Sequence, residues 1–259
     1  MSDLITIADI VKSPEATRSL MALLGYHFLS PIAKESGSGL SVIIKDNLEQ
    51  VRQIILRKRK ETDNKTNLRV AMEGVRSAAF ADSKIAAEYF GGIIANSGSS
   101  EDDSLMSFLA IVKNLSSKQL HFHYVIYRSL HNLILANPEW QKINLGLDTD
   151  INTLEIFFST IELNSIGVIP TEDGEMLCRT GIITSYKCDF EKIDEEKNCP
   201  ITKTSPTTLG FQMYASVHNE YNNWRDLKNL VLEPFPDIGV PNIYFKTREE
   251  LVSCAKNGI

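Results

Sequence analysis

The chain has 259 residues, 43% hydrophobic and 23% charged, enough for one large core or two modest ones. Its formal net charge of -6 argues against a protein that lives mainly on phosphate backbones, which are gripped by clustered cations. The four cysteines, Cys178, Cys188, Cys199 and Cys254, form no CxxC pair. The first residues lack a signal-peptide pattern and no run reaches the length of a membrane span, so the expectation is a soluble cytoplasmic protein with reduced thiols.

Ser13-Pro14-Glu15 predicts a helix start, with a capping hydroxyl, a proline at the first helical position and a carboxylate at the positive end of the dipole; that helix runs to about Tyr26. Ser36-Gly37-Ser38-Gly39 predicts a flexible connection before the apolar run Leu40 to Ile44. From Asp46, Leu48, Val51, Ile54 and Ile55 recur at helical spacing and lead into Arg57-Lys58-Arg59-Lys60, with the helix ending at Asp63-Asn64-Lys65. Further helices are predicted over Leu68 to Ala79, from Asp82 along Ile85, Tyr89, Phe90 and Ile93, and along the stripe Leu105, Phe108, Leu109, Val112 and Leu115. Ser97 to Asp103 is a polar connection. Ser116 with Gln119 matches a capping box that opens a long, mostly apolar helix to about Leu135.

Asn137-Pro138 closes the helical part, and Glu139 to Asp150 reads as a connector holding a buried Trp140. Ile151 to Ser165 has helical spacing, Gly167 suits a left-handed helix end, and Val168-Ile169 starts a strand. Asp173-Gly174 is the best hairpin turn in the chain, and Met176 to Cys188 is rich in strand formers. Phe190 to Lys203 reads as a mobile loop, Pro206 to Tyr221 as a helix, Asn242 to Phe245 as a short strand, and Thr247 with Glu250 as the cap of a last helix ending at Gly258. The fold expected is mainly α: a helical bundle over 1–138, a winged-helix-like α+β module with a β-hairpin wing over 139–221, and a C-terminal segment over 222–259.

Candidate chemistry is sparse. His121, His123, His131 and His218 invite a metal reading, yet His121 and His123 point apart and no carboxylate has zincin spacing. The cysteines lack short pairs, and the acidic run Asp189 to Glu196 would raise a nearby thiol's pKa. Ser36 to Gly39 lacks the GxxxxGK[ST] pattern of a phosphate loop. Gly91-Gly92 inside a helix, where each glycine costs about 1 kcal/mol against alanine, points to close packing. The concentrated positive patch is Arg52, Arg57, Lys58, Arg59 and Lys60, a candidate interaction surface for nucleic acid, an acidic partner or anionic lipid. The expected recognition helix, Asp150 to Ser165, carries Asp150, Glu155 and Glu162, and no Lys or Arg lies between Lys142 and Arg179, so DNA binding is disfavoured.

Three segments carry a family resemblance: Ala81 to Asn96, Ile111 to Ser116, and Leu163 to Ile169 with Thr207 to Tyr214. On them the chain resembles the Abi-alpha type proteins, an abortive-infection-associated group of bacteria, and related helical domains of unknown function. The acidic stretch Asp189 to Glu196 has no counterpart there. The resemblance implies prokaryotic defence against phage, with no catalytic residues to carry over. The expectation is therefore a non-enzymatic defence protein, without cofactor or metal, that binds a protein partner and has self-association open to it. The alternative is a winged-helix DNA-binding regulator using the basic cluster and the wing. A membrane-acting toxin, drawing on Leu20 to Ile32 and Leu40 to Ile44, ranks third because those stretches are short.

Overall fold

Apolar residues at helical spacing dominate the chain, and the result is mostly helical with a small four-stranded antiparallel sheet. The computed structural model describes residues 38–60, 67–81, 83–97, 103–192 and 198–256. The helix expected over Ser13 to Tyr26, Ser36-Gly37, Asp63-Asn64-Lys65, Asp82 and Gly258 lie outside them. Two units divide the chain: Met1–Asn114 with Ser216–Asn222, and Leu115–Ala215 with Asn223–Ile259. Among the described residues no helix is long and apolar enough to cross a membrane.

The first unit holds α1 (Ser38–Lys58), α2 (Leu68–Ala78), α3 (Lys84–Asn96) and α4 (Ser104–Asn114). Ile44, Leu48, Val51, Ile54 and Ile55 form the buried stripe of α1. Asn67 caps α2 by accepting the Arg69 and Val70 amides, and Ser83 caps α3 by accepting that of Ala86. Every residue of α3 from Ile85 to Asn96 is buried, against α1, α2 and α4. Its glycines are there for clearance. A Cβ on Gly91 would lie 2.6 Å from Ile54 Cγ2, and one on Gly92 only 2.0 Å from the Val217 carbonyl oxygen.

The second unit opens with α5 (Ser117–Ala136), whose capping box is formed by Ser116 and Gln119. There follow α6 (Asp148–Ile151), β1 (Ile156–Ser159), α7 (Thr160–Ser165), α8 (Pro170–Arg179), β2 (Ile183–Lys192), β3 (Asn198–Pro206), α9 (Thr208–Val217), a 3-10 helix (Tyr221–Asn229), β4 (Tyr244–Phe245) and α10 (Arg248–Lys256), with Ser216–Asn222, from the end of α9 to the start of the 3-10 helix, belonging to the first unit. The strand order is β2-β3-β1-β4, with Phe158 opposite Thr202 and Phe157 opposite Phe245. α10 covers one sheet face, where Leu251 packs on Phe157, Cys199 and Ile201. Thr207, at the start of α9, donates its amide to the Tyr127 hydroxyl at 2.9 Å, and that hydroxyl donates to the Ile182 carbonyl at 2.5 Å.

Several sequence expectations are corrected. α1 begins at Ser38, so Ser38-Gly39 is helical instead of a connection, because the apolar period of α1 extends upstream through Ile44. Ile151 to Ser165 is three elements, not one helix: Ile156, Phe157 and Phe158 are all buried and their backbone pairs laterally with β3 and β4. Val168-Ile169 is not a strand, since Ile169 is the N-cap of α8. Asp173-Gly174 is not a hairpin turn but lies inside α8, where Asp173 Oδ2 accepts the Ile169 amide at 3.1 Å and a Cβ on Gly174 would meet the Tyr186 ring at 2.7 Å. Met176 to Arg179 belongs to that helix, and the strand starts only at Ile183. Most of Phe190 to Lys203 is paired strand, with Glu191 opposite Cys199 and Asp189 opposite Ile201, because its charges fall mainly on exposed positions of a regular hairpin. Trp140 is half-buried; Trp224 is the buried tryptophan.

Candidate functional site

The predicted basic patch sits at the end of α1, where helix geometry splits its side chains among different directions. Its charges are mostly engaged within the first unit. Arg52 donates to Glu49 at 2.8 and 2.6 Å, one turn away on the same helix. Arg57 Nη2 bridges both carboxylate oxygens of Glu88, at 2.6 and 2.7 Å. Lys60 pairs with Glu220 at 2.7 Å. Arg59 continues the helical ladder through its amide to the Ile55 carbonyl.

Lys58 is the buried member. Its ammonium donates to Glu88 Oε2 at 2.6 Å, to the Val217 carbonyl at 2.8 Å and to the Glu88 carbonyl at 3.2 Å, which uses all three protons. Burial pushes its pKa down to about 8, the neighbouring Glu88 carboxylate opposing the shift. Asn219, itself at φ 60, donates its side-chain amide to the Lys58 carbonyl at 2.9 Å, and the Tyr221 amide donates to Asn96 Oδ1 at 3.1 Å. Arg57, Lys58, Glu88 and residues 216–222 therefore form one ion-paired clasp. Sequence reasoning missed Glu88 and Glu220. The signal for Glu88 was available, since it is the sole charge in the otherwise uncharged run Ile85 to Asn96.

The α5 histidines do not converge. His121 Nε2 meets the Gly239 carbonyl at 2.6 Å, His123 Nε2 that of Gly210 at 3.2 Å and His131 Nε2 that of Leu227 at 2.9 Å. A carbonyl only accepts, so each of these nitrogens carries the proton. Burial pushes His123 down to about 3 and also lowers His131. Both sit in an aromatic stack: Tyr127 lies 4.6 Å from the His123 ring and in edge contact with Phe211, while Tyr124 stacks on Phe235 at 4.3 Å. Among the described residues no group of three His, Cys, Asp or Glu side chains is placed to hold a metal. The four cysteines are free thiols, and burial raises the pKa of Cys178 and Cys188.

A second candidate surface is built from α7, α8 and the β2–β3 hairpin. α7 and α8 are joined by four residues, Ile166 to Ile169, of which Gly167 takes φ 86, the left-handed conformation that lets the chain reverse. α8 packs on α5 and β2 through Leu177, Gly174 and Asp173 and exposes Thr171, Glu172, Glu175 and Arg179. Arg179 is spent on Glu175 at 3.0 Å. Phe190 of β2 is 72% exposed at the hairpin. Pro170 at the first helical position with Glu172 and Asp173 in the first turn announces α8 in the sequence; the Asp-Gly turn signal hid it.

No family model, no curated protein and no solved structure matches the chain.

Proposed function

We propose that this protein is a non-enzymatic component of prokaryotic phage defence that works by binding a protein partner. The resemblance of Ala81 to Asn96, Ile111 to Ser116, Leu163 to Ile169 and Thr207 to Tyr214 to the Abi-alpha type proteins supplies the defence context. The order β1, α7, four-residue turn, α8, β2–β3 hairpin supports a winged-helix reading in which α8 takes the recognition place. The observation that carries the choice of partner is the chemistry of that helix. Its exposed charges are Glu172, Glu175 and Arg179, a net of one negative charge, so a phosphate backbone would meet net repulsion where a basic protein surface would meet attraction. The basic cluster cannot compensate cheaply, because Arg52, Arg57, Lys58 and Lys60 are committed to Glu49, Glu88 and Glu220.

The test has two arms. In a prokaryotic host carrying the gene, survival of the culture under phage challenge is expected to require Glu172 and Glu175, and the Glu172→Lys, Glu175→Lys double variant should lose protection while keeping the wild-type circular dichroism spectrum. In gel-shift titrations the wild-type protein is expected to leave duplex DNA unshifted at low salt. A duplex complex with a steep salt dependence would overturn the protein-binding reading in favour of a DNA-binding regulator.

A further inference from the structure

Away from α8, the first unit carries a cleft of about 360 Å³ lined by Arg69, Met72, Glu73 and Arg76 of α2 and Met106 of α4. The α2 residues stand at i, i+3, i+4 and i+7, one face of the helix. Two ion pairs flank the cleft: Arg69 with Asp103, the residue before α4, at 3.0 Å, and Glu73 with Lys113 of α4 at 2.5 Å. Glu73 is thereby neutralised. Arg76 is exposed, and among the described residues no carboxylate pairs with it.

We infer that this cleft is a docking site for an acidic amphipathic helix of a partner protein. The methionines supply an adaptable apolar floor that accepts aliphatic side chains of varied shape. Arg69 and Arg76 are two helical turns apart, about 10 Å along α2. A ligand helix with carboxylates seven residues apart, and leucines three and four residues after the first, would place a negative charge at each arginine and its apolar stripe on Met72 and Met106. The Arg69–Asp103 pair does not bar this, since an exposed ion pair is worth only about 0–1 kcal/mol and can exchange partners. A nucleic acid fits worse: the methionine floor between the two arginines offers a phosphate backbone no hydrogen-bond donor.

Fluorescence anisotropy of the full-length protein with synthetic helical peptides tests this. The probes are a peptide with glutamates seven apart around two leucines, the same peptide with lysines in their place, and a single-stranded oligonucleotide. The glutamate peptide is expected to bind and the other two not. Arg76→Glu should weaken the glutamate peptide about tenfold and confer binding of the lysine peptide. Arg76→Gln, which removes a charge without adding one, should cost about threefold. Equal binding of the two peptides, no binding of either, tighter binding of the oligonucleotide, or affinity indifferent to both substitutions would each overturn the inference.

Discussion

At the scale of single residues, burial is used here to hold ionisable groups in one state. His123 is neutral in the folded protein down to about pH 3, whereas an unfolded histidine takes up its proton near 6.5. Between those values the unfolded chain binds the extra proton, so stability falls as the pH drops from 6.5 toward 3. His131, lowered by the same burial, adds to the slope. The loss is expected to be on the order of a few kcal/mol across the window. Urea unfolding at pH 7 and pH 4 checks it: the wild type should lose clearly more stability between the two than a His123→Phe variant does. Equal losses would mean that the imidazole is not the titrating group. Lys58 acts at the opposite end. The folded state holds it near 8 against 10.5 for the free side chain, so its contribution to stability grows as the pH rises between those values. The histidines were legible in the sequence as residues of a packed helix, because α5 is apolar on most sides; their backbone acceptors at Gly210, Leu227 and Gly239 were not, since those lie far away in the chain.

At the scale of elements, α8 is where local signals conflicted. Asp173-Gly174 carries the composition of a hairpin turn, yet Pro170 starts a helix three residues after the left-handed Gly167 and Asp173 closes that helix's first turn on the Ile169 amide. The glycine serves the tertiary packing, because it lets the Tyr186 ring of β2 approach the helix axis. Gly174→Ala is therefore expected to destabilise the protein by about 2 kcal/mol through the clash with that ring. A glycine needed only for an exposed turn would respond differently, and restoration of stability by the second change Tyr186→Ala, seen in thermal unfolding of the double variant, distinguishes the two. Elsewhere the sequence spoke clearly where the apolar stripe was periodic: α2, α3, α4 and α5 fall close to where that spacing places them, and α5 opens at the expected Ser116 capping box. It failed at β1 and at the hairpin. Phe157 and Phe158 satisfy a helical stripe and a doubly covered strand equally well, and only pairing with β3, some 45 residues later, decides between them. The acidic composition around β2 concealed a strand most of whose charges are exposed, Glu191 being the buried exception.

At the scale of the whole molecule, the first unit is not made from one continuous stretch. Residues Ser216–Asn222 return to it from a chain otherwise committed to the second unit, and they supply the Val217 carbonyl to Lys58, Glu220 to Lys60 and the Tyr221 edge contact with Phe108. A fragment of residues 1–114 lacks all of these, the Val217 carbonyl acceptor of Lys58 included. It is expected to unfold at a markedly lower urea midpoint, followed by far-UV circular dichroism, than the helices of the intact protein; an unchanged midpoint would show that residues 216–222 contribute nothing. The basic cluster takes its meaning from the same arrangement: a run of cations that reads locally as a binding patch is largely consumed by carboxylates supplied from α3 and from the returning segment. During biosynthesis this imposes a delay. The ribosome must add a further hundred or so residues after Asn114 before the closing piece emerges, which at about 5–20 residues per second leaves α1 to α4 waiting for roughly 5–20 s. Throughout that interval the apolar ground around Gly92 has no carbonyl strap above it, and the nascent chain is then most open to chaperones.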